Sequence, residues 1–179
     1  MAQSKAAERF AESLLQLATE HGQQAAVFGD MERLAAMLKA TPELGRVLKS
    51  PIVSSPKKLS ILNALFPTGA SELSLRFFEQ VSRRNREPIL VDMAGDYVKK
   101  YLHTQGKTTG EVISATALGP EEKNEIAALA KKLTGMDVLL EERVDAKLIG
   151  GFILRVGGKQ IDQSVAAKLD QMRLQLTSQ

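Results

Sequence analysis

Residues 106–116, GKTTGEVISAT, decide the fold class of this chain. Within them, residues 111–116 are rich in β-branched side chains, which is the composition of a β-strand. The hundred residues before this stretch have helical patterns separated by short breaks at glycine and proline. A change from helices to strands at this point predicts an α+β protein with a domain boundary at about residue 105.

The N-terminal part, residues 1–105, is predicted to be a six-helix bundle. Two helix starts carry a strong signal, because Thr41 and Ser55 are capping residues that each precede a proline. Helices joined by short loops pack as an antiparallel bundle. The predicted helices span approximately residues 4–19, 23–39, 41–48, 55–66, 71–84 and 88–105.

The C-terminal part, residues 106–179, is predicted to be a small α/β domain with a short mixed sheet. A helix begins at Pro120 after the first strand, and its apolar face comprises Ile126, Leu129, Ala130 and Leu133. Two further strands are predicted over residues 136–144 and 148–156. Asp145, Ala146 and Lys147 form a plausible tight turn between those two strands. Apolar residues at helical spacing predict a final helix; they are Val165, Leu169, Met172 and Leu176.

Two local features of this C-terminal domain have a structural explanation. Gly150 and Gly151 lie within the predicted third strand and indicate a bulge or a close approach of two backbones. Asp162 and Ser164 precede the final helix and can cap it. These residues hold the small domain together, and no catalytic role follows from them.

The composition excludes several classes of protein. The 179 residues include no cysteine and only two, widely separated histidines, so a thiolate site is excluded and a histidine metal site is not expected. There are 24 Lys and Arg against 21 Asp and Glu, and the basic pairs are scattered, which disfavours a nucleic-acid-binding face. No apolar run reaches the ~18 residues of a membrane span, and the first residues lack the apolar core of a signal peptide. We therefore expect a cytosol-like compartment.

No constellation of residues predicts catalysis. The tripeptide GKT at residues 106–108 resembles the end of a phosphate-binding loop, but Tyr101 stands where that motif has glycine. A helix also precedes the tripeptide, where the motif needs a strand. The carboxylate pairs at 121–122 and 141–142 are sequence neighbours that diverge on a helix or a strand, so they cannot flank one substrate atom. The sequence therefore predicts no catalytic, cofactor-binding or metal-binding residue.

The first and fifth predicted helices have more apolar surface than burial on one side requires. Apolar residues cover about half of the circumference of the first helix. On the fifth, Leu73, Phe77 and Val81 lie on one side, and Leu75 and Phe78 lie on another. Two interpretations remain open: deeper burial within the bundle, or a groove that receives an amphipathic helix from a partner.

Three segments resemble the delta subunit of F-type ATP synthases, whose mitochondrial relative is the oligomycin-sensitivity-conferring protein. The most specific is LEERVDAKLIGGFILRVG at residues 140–157. The segment IDQSV at residues 161–165, leading to Leu169, and the segment RFAESL at residues 9–14 are also similar to that family. The resemblance covers essentially the whole chain.

The resemblance implies a non-catalytic stator, or peripheral-stalk, subunit of a proton-translocating ATP synthase, with no cofactor. In the family the helical domain, here residues 1–105, receives the N-terminal helices of the alpha subunits of the catalytic head. The C-terminal domain, here residues 106–179, meets the b-type peripheral stalk. The implied location is the cytoplasmic face of the bacterial inner membrane, where the chain is peripheral and attached only through the complex.

The resemblance also places the alpha-subunit helix in the groove between the first and fifth helices. Our candidate groove residues are five apolar side chains of these helices, some of which must face the core instead: Phe10, Leu14, Leu17, Phe78 and Val81. Two rival interpretations remain, a small basic nucleic-acid-binding protein and an undetected enzyme. The first predicts salt-sensitive binding by a basic face, and the second predicts a pocket with perturbed titratable groups.

Overall fold

The computed structural model describes residues 2–66 and 69–177. The chain divides into two compact units, Met1–Tyr101 and Leu102–Gln179. The first is helical and the second combines a mixed sheet with helices, which confirms the predicted α+β class.

The helical unit contains the predicted helices within its described residues, with small shifts of their ends. A turn of 3-10 helix, Glu87–Ile89, holds the proline that we predicted at the start of the sixth helix. The fourth helix ends two residues earlier than predicted; Pro67, the residue after its predicted end, lies outside the described residues. The six helices are α1 (Ala2–Glu20), α2 (Gln24–Ala40), α3 (Pro42–Lys49), α4 (Ser55–Ala64), α5 (Glu72–Arg83) and α6 (Leu90–Thr104).

The predicted helix caps are only partly present. Thr41 occupies the cap position before its proline, but its side chain makes no hydrogen bond to the first turn of α3. Ser55 is the first residue of α4 rather than its cap, and its hydroxyl is hydrogen-bonded to Asn85 Oδ1 at 2.7 Å. Ser71 does cap α5, because its Oγ accepts a hydrogen bond from the backbone N–H of Ser74 at 3.3 Å.

The core of the helical unit surrounds Tyr97 and Phe78, which are both fully buried. α1 contributes small side chains, Ala7, Ala11 and Ala18, so neighbouring side chains can approach its backbone closely. Burial raises the pKa of Tyr97 far above its usual range, and its hydroxyl has no hydrogen-bond partner among the described residues. Tyr97 is therefore a neutral packing residue at the centre of the bundle.

Asp30 on α2 is a buried carboxylate that fixes the start of α5. Its Oδ2 accepts a hydrogen bond from the backbone N–H of Ser71 at 2.8 Å, and its Oδ1 accepts one from Arg33 at 3.3 Å. Such charge-assisted bonds offset the cost of removing a carboxylate from water. The contact anchors α5 against α2 and thereby helps to set where the side chains of α5 lie.

The α/β unit contains a sheet whose described strands follow the order β2-β1-β3-β4. β1 is parallel to β2, while β1–β3 and β3–β4 are antiparallel. The sequence did not predict β4, because its four residues, KQID, include a single apolar side chain and so show no strand pattern. The elements are β1 (Lys107–Ser114), α7 (Pro120–Thr134), β2 (Asp137–Val144), β3 (Phe152–Val156), β4 (Lys159–Asp162) and α8 (Val165–Thr177).

The predicted turn over residues 145–147 is present but does not make a hairpin. The backbone N–H of Leu148 donates to the carbonyl of Asp145 at 3.0 Å, and Asp145 Oδ1 accepts from the N–H of Lys147 at 3.0 Å. β2 and β3, however, lie on opposite sides of β1. The segment after the turn therefore crosses β1 before β3 begins at Phe152.

α7 and one face of the sheet form the core of the α/β unit. Ile126 and Ala130 of α7 are buried there, as their helical spacing predicted, against Val112, Leu154 and Val156 of the strands. Five residues form the buried part of this cluster, against sixteen in the helical unit, within the described parts of the chain. The α/β unit is thus held by a much smaller core.

The predicted close backbone approach occurs at Gly151, just before β3 rather than inside it. Gly151 has φ +77°, and a Cβ atom there would lie 2.3 Å from the carbonyl oxygen of Gln163. The predicted cap of α8 is also present. The Asp162 carboxylate accepts from the N–H of Ser164 at 2.9 Å, and Ser164 Oγ accepts from the N–H of Ala167 at 3.2 Å. Together these contacts fix the entry of the chain into α8.

Candidate partner-binding surface

The structure separates the five candidate groove residues into two sets. Leu14, Phe78 and Val81 are no more than 2% exposed and belong to the core of the helical unit. Leu17 is 38% exposed, and Phe10 is half-buried at the edge of that core. Of the five, Phe10 and Leu17 are therefore the side chains that a partner can reach in this structure.

Phe77 supplies the α5 side of the surface, although it was not among our candidates. Its ring meets the ring of Phe10 edge to face, with centroids 6.4 Å apart and an interplanar angle of 71°. Phe77 is half-buried, and Leu73, one helical turn earlier, is half-buried as well. We call Phe10, Leu17, Leu73 and Phe77 the α1/α5 surface.

The buried face of α5 is neither of the two apolar sides predicted from the sequence, because it combines Phe78 from one side with Val81 from the other. Ser74 is fully buried and Ser82 is 5% exposed, and they extend the line of Phe78 and Val81 into the core. The hydroxyl of Ser82 donates a hydrogen bond to the backbone carbonyl of Ser55 at 3.2 Å. A polar residue whose hydroxyl is hydrogen-bonded can occupy a core position at little cost, so hydropathy alone misassigned this face.

A positive charge lies directly over the α1/α5 surface. The guanidinium carbon of Arg86 is 5.8 Å from the centroid of the Phe10 ring, within the range of a cation–π contact. The two nearby carboxylates of α1 are engaged elsewhere, since Lys100 Nζ on α6 lies 3.4 Å from Glu8 and 3.7 Å from Glu12. The surface is therefore apolar and aromatic with a basic margin.

The α/β unit has a second exposed apolar region on α8. Val165, Leu169 and Met172 are 39%, 57% and 58% exposed, and their spacing puts them on one face of the helix. Leu139 and Val144 of β2 are each about half exposed as well. Because soluble domains seldom leave such aliphatic stripes uncovered, this region is a second candidate contact surface.

Charges beside the sheet are largely neutralised within the α/β unit. Arg155 lies 3.3 Å from the carboxylate of Glu111 on the neighbouring strand, and Arg143 lies 3.9 Å from the same carboxylate. Glu142 accepts from the N–H of Leu118 at 2.7 Å and pairs with Lys123 at 2.6 Å. The hydrogen bond from Leu118, followed by that from Lys123, lowers the pKa of Glu142.

The structure offers little support for a catalytic or nucleotide site in the part of the chain that it describes. Lys107 of the GKT tripeptide begins β1 directly after α6, so the strand-then-helix order of a phosphate-binding loop is reversed. No group of three or more His, Cys, Asp and Glu side chains among the described residues could hold a metal ion. Within residues 2–66 and 69–177, every helix is too short or too polar to cross a membrane.

Comparison with known proteins gives a consistent result. The profile of the family described as ATP synthase delta (OSCP) subunit matches residues 6–176. The ATP synthase subunit delta of Rhizobium etli (strain CIAT 652) is 37% identical over 174 residues, which cover 97% of this chain and 93% of the relative. That of Parvibaculum lavamentivorans is 36% identical over 172 residues, covering 96% and 89%.

A solved structure resembles the fold over nearly its full length. A chain of the cryo-EM structure of the Toxoplasma gondii mitochondrial ATP synthase hexamer superposes with a TM-score of 0.74 at 25% sequence identity. The match covers 96% of this chain and 97% of that chain. The similarity thus extends over both the helical and the α/β unit.

Proposed function

This chain belongs to the family of ATP synthase delta (OSCP) subunits, and from that premise we propose that it joins the catalytic head of a proton-translocating F-type ATP synthase to the b-type stalk. Members of the family are peripheral-stalk subunits, and so is this chain. A stator holds the head still while the rotor turns, so that rotation drives ATP synthesis at catalytic sites on other subunits. The family match favours this function over the nucleic-acid-binding alternative.

The α1/α5 surface is the proposed contact with the head. The observation that carries this assignment is the half-buried pair of Phe10 and Phe77 between two helices, with Leu17 exposed seven residues, or two turns, beyond Phe10. An amphipathic helix presents apolar side chains at that same spacing, so it can cover such a surface. The N-terminal helices of the alpha subunits are the proposed occupants.

The exposed stripe of α8 is the proposed contact with the stalk. It lies in the α/β unit, so one chain carries two separate apolar surfaces, one for each partner. A stator needs two such attachments because it transmits force between the head and the membrane. The helical b-type subunits could cover Leu169 and Met172 through their own apolar stripes.

The chain itself is proposed to be non-catalytic and to need no cofactor. Its relatives are ATP synthase subunits named from several bacteria. We place it at the cytoplasmic face of the bacterial inner membrane, peripheral to the membrane and attached only through the complex.

The contact with the head can be tested by charge substitution at one exposed position. Leu17→Asp should weaken binding of a synthetic alpha-subunit N-terminal helix at least tenfold, because a carboxylate cannot be desolvated against an apolar stripe at low cost. Calorimetric titration of the full-length chain measures the affinity. The melting temperature should change little, because Leu17 is already 38% exposed.

Gln16→Asp is the matched control, since it adds the same charge at an exposed neighbouring position that faces about 100° away on α1. It should bind the helix like the unchanged chain. Equal binding by Leu17→Asp and Gln16→Asp would remove the α1/α5 surface as the head contact. The family assignment would still stand.

A further inference from the structure

The end of α5 carries three exposed arginines whose charges are not neutralised locally. Arg83, Arg84 and Arg86 make no ion pair among the described residues. Several other arginines are paired, for example Arg76 with Glu72 at 2.6 Å and Arg46 with Glu43 at 3.2 Å. Three unneutralised guanidinium groups within four residues repel one another and favour an external anion.

Arg86 contacts the α1/α5 surface, and helical spacing puts Arg84, but not Arg83, in line with it. Arg86 lies over the ring of Phe10 at 5.8 Å. Arg84 follows Phe77 by seven residues, so it continues the line of Phe77 at the C-terminal end of α5. Arg83 follows Phe77 by six residues and points about 120° away around the helix.

The carboxylates nearest in sequence are not available to these groups. Glu87 is 1% exposed, lies 3.8 Å from Lys58 and is hydrogen-bonded to Ser82. Glu79 follows Phe77 by two residues, which puts it on the far side of α5. Neither carboxylate therefore neutralises these arginines, and their charges remain available to an acidic partner.

We propose that Arg84 and Arg86 select the occupant of the α1/α5 surface by binding carboxylates beside its apolar stripe. This inference rests on the proposed function, and it adds a chemical requirement: the docking alpha-subunit helix carries Asp or Glu next to its apolar residues. Guanidinium groups bind carboxylates with two parallel hydrogen bonds, which fix register as well as contributing affinity. The aromatic ring beneath Arg86 holds its guanidinium in place before the partner arrives.

The predicted consequence is electrostatic steering. Opposite charges at the margin of an interface mainly raise the association rate, and added salt screens that effect. In the full-length chain, replacing both arginines (R84Q together with R86Q) should slow association of the synthetic alpha-subunit helix about tenfold at low salt. At ~1 M salt, where charges are screened beyond about 3 Å, the difference should nearly vanish.

Two controls make the test specific. Arg83→Gln removes one of the three positive charges at this helix end, away from the surface, so it should slow association less than about twofold, below the square root of the effect of the double substitution. A helix peptide whose Asp and Glu are replaced by Asn and Gln should bind the unchanged chain and the doubly substituted chain at equal rates. Stopped-flow fluorescence with a dye-labelled peptide measures each rate.

The outcomes separate this inference from the function on which it rests. If the unchanged chain binds the peptide but R84Q/R86Q has no larger effect than R83Q, the selection by carboxylates is wrong and the apolar contact stands. The same holds if the peptide without Asp and Glu binds as fast as the original. If the unchanged chain does not bind the peptide at any salt concentration, the head contact itself is wrong and this inference falls with it.

Discussion

The two apolar surfaces of this chain differ in how they are supported. The α1/α5 surface consists of half-buried aromatic rings that border a core of sixteen buried residues within the described chain. The α8 stripe consists of aliphatic side chains, up to 58% exposed, in a unit whose described core has five buried residues. The first surface is preorganised by its core, whereas the second depends on a few local contacts at the entry to α8.

The pairing of arginines in the two units differs as well. Arginines beside the α1/α5 surface have no ion pair among the described residues, while Arg143 and Arg155 in the α/β unit share Glu111. Unneutralised charge favours long-range attraction of a partner, and neutralised charge does not. We therefore expect salt-sensitive docking at the helical unit and largely salt-insensitive docking at the α/β unit.

The largest expected effect concerns the entry to α8. Gly151→Ala should destabilise the α/β unit by roughly 2–4 kcal/mol, because the added Cβ meets a backbone carbonyl and the positive φ is unfavourable for alanine. Gly158→Ala is the control: it has φ +74° but open space around the Cβ position, so it should cost only about 1 kcal/mol. Urea unfolding followed by circular dichroism measures both.

The effect of Gly151→Ala should be confined to the α/β unit. Gly151→Ala should leave binding of the alpha-subunit helix unchanged, because the α1/α5 surface belongs to the other unit. If both glycine variants lose the same stability, the close approach to Gln163 is not what requires glycine at position 151.

The second prediction concerns the support of the α1/α5 surface. Asp30→Ala should destabilise the helical unit by about 2 kcal/mol, because the half-buried N–H of Ser71 loses its acceptor and α5 loses its anchor on α2. Arg33→Ala removes only the exposed partner of Asp30 and should cost less than about 1 kcal/mol. Thermal unfolding followed at 222 nm gives the comparison, and equal losses would show that the bond to Ser71 does not anchor α5.

The smallest expected effect is an acid dependence in the α/β unit. Hydrogen bonds from Lys131 to Asp137, from Leu118 to Glu142 and from Ser164 to Asp162 lower the pKa of all three carboxyl groups. A carboxyl group with a lowered folded-state pKa adds stability above its unfolded pKa, and that stability is lost as pH falls through the folded value. Below about pH 4, the α/β unit should therefore lose a small part of its stability.

Glu142→Gln should reduce this acid dependence, which melting temperatures between pH 3 and pH 7 would detect. These carboxyl groups are exposed, so the change should be small. A steeper loss of stability in the variant than in the unchanged chain would show that Glu142 is not a source of this acid dependence.

Sequence patterns identified the helices and three of the four described strands, all but β4, but not their tertiary arrangement. Residues 111–116 predicted β1, which begins four residues earlier, at Lys107, and the spacing of Ile126 and Ala130 predicted the buried face of α7, because both depend on local periodicity. The order of β2 and β3 was not predictable, since the turn at Asp145 has the same local form whether or not a hairpin follows. Strand order is decided by which faces bury the most apolar surface, and that is a property of the whole unit.

The candidate surface was predicted at the level of helices and only partly at the level of residues. Phe10 and Leu17 are accessible, whereas Leu14, Phe78 and Val81 lie in the core. α5 buries a face that combines Phe78 and Val81, one from each predicted apolar side, with Ser74 and Ser82. The choice depends on contacts such as that between Asp30 and Ser71, which are 41 residues apart and leave no local signal.

A site-specific cross-link in the assembled ATP synthase tests most directly whether the head docks on the α1/α5 surface. The chain contains no cysteine, so Leu17→Cys and Gln16→Cys each introduce one thiol that can carry a photoactivatable cross-linker. By mass spectrometry, the product from position 17 should contain the N-terminal segment of the alpha subunit, and position 16 should give far less of that product. Equal alpha-subunit products from both positions, or none from position 17, would contradict the docking of the head on the α1/α5 surface.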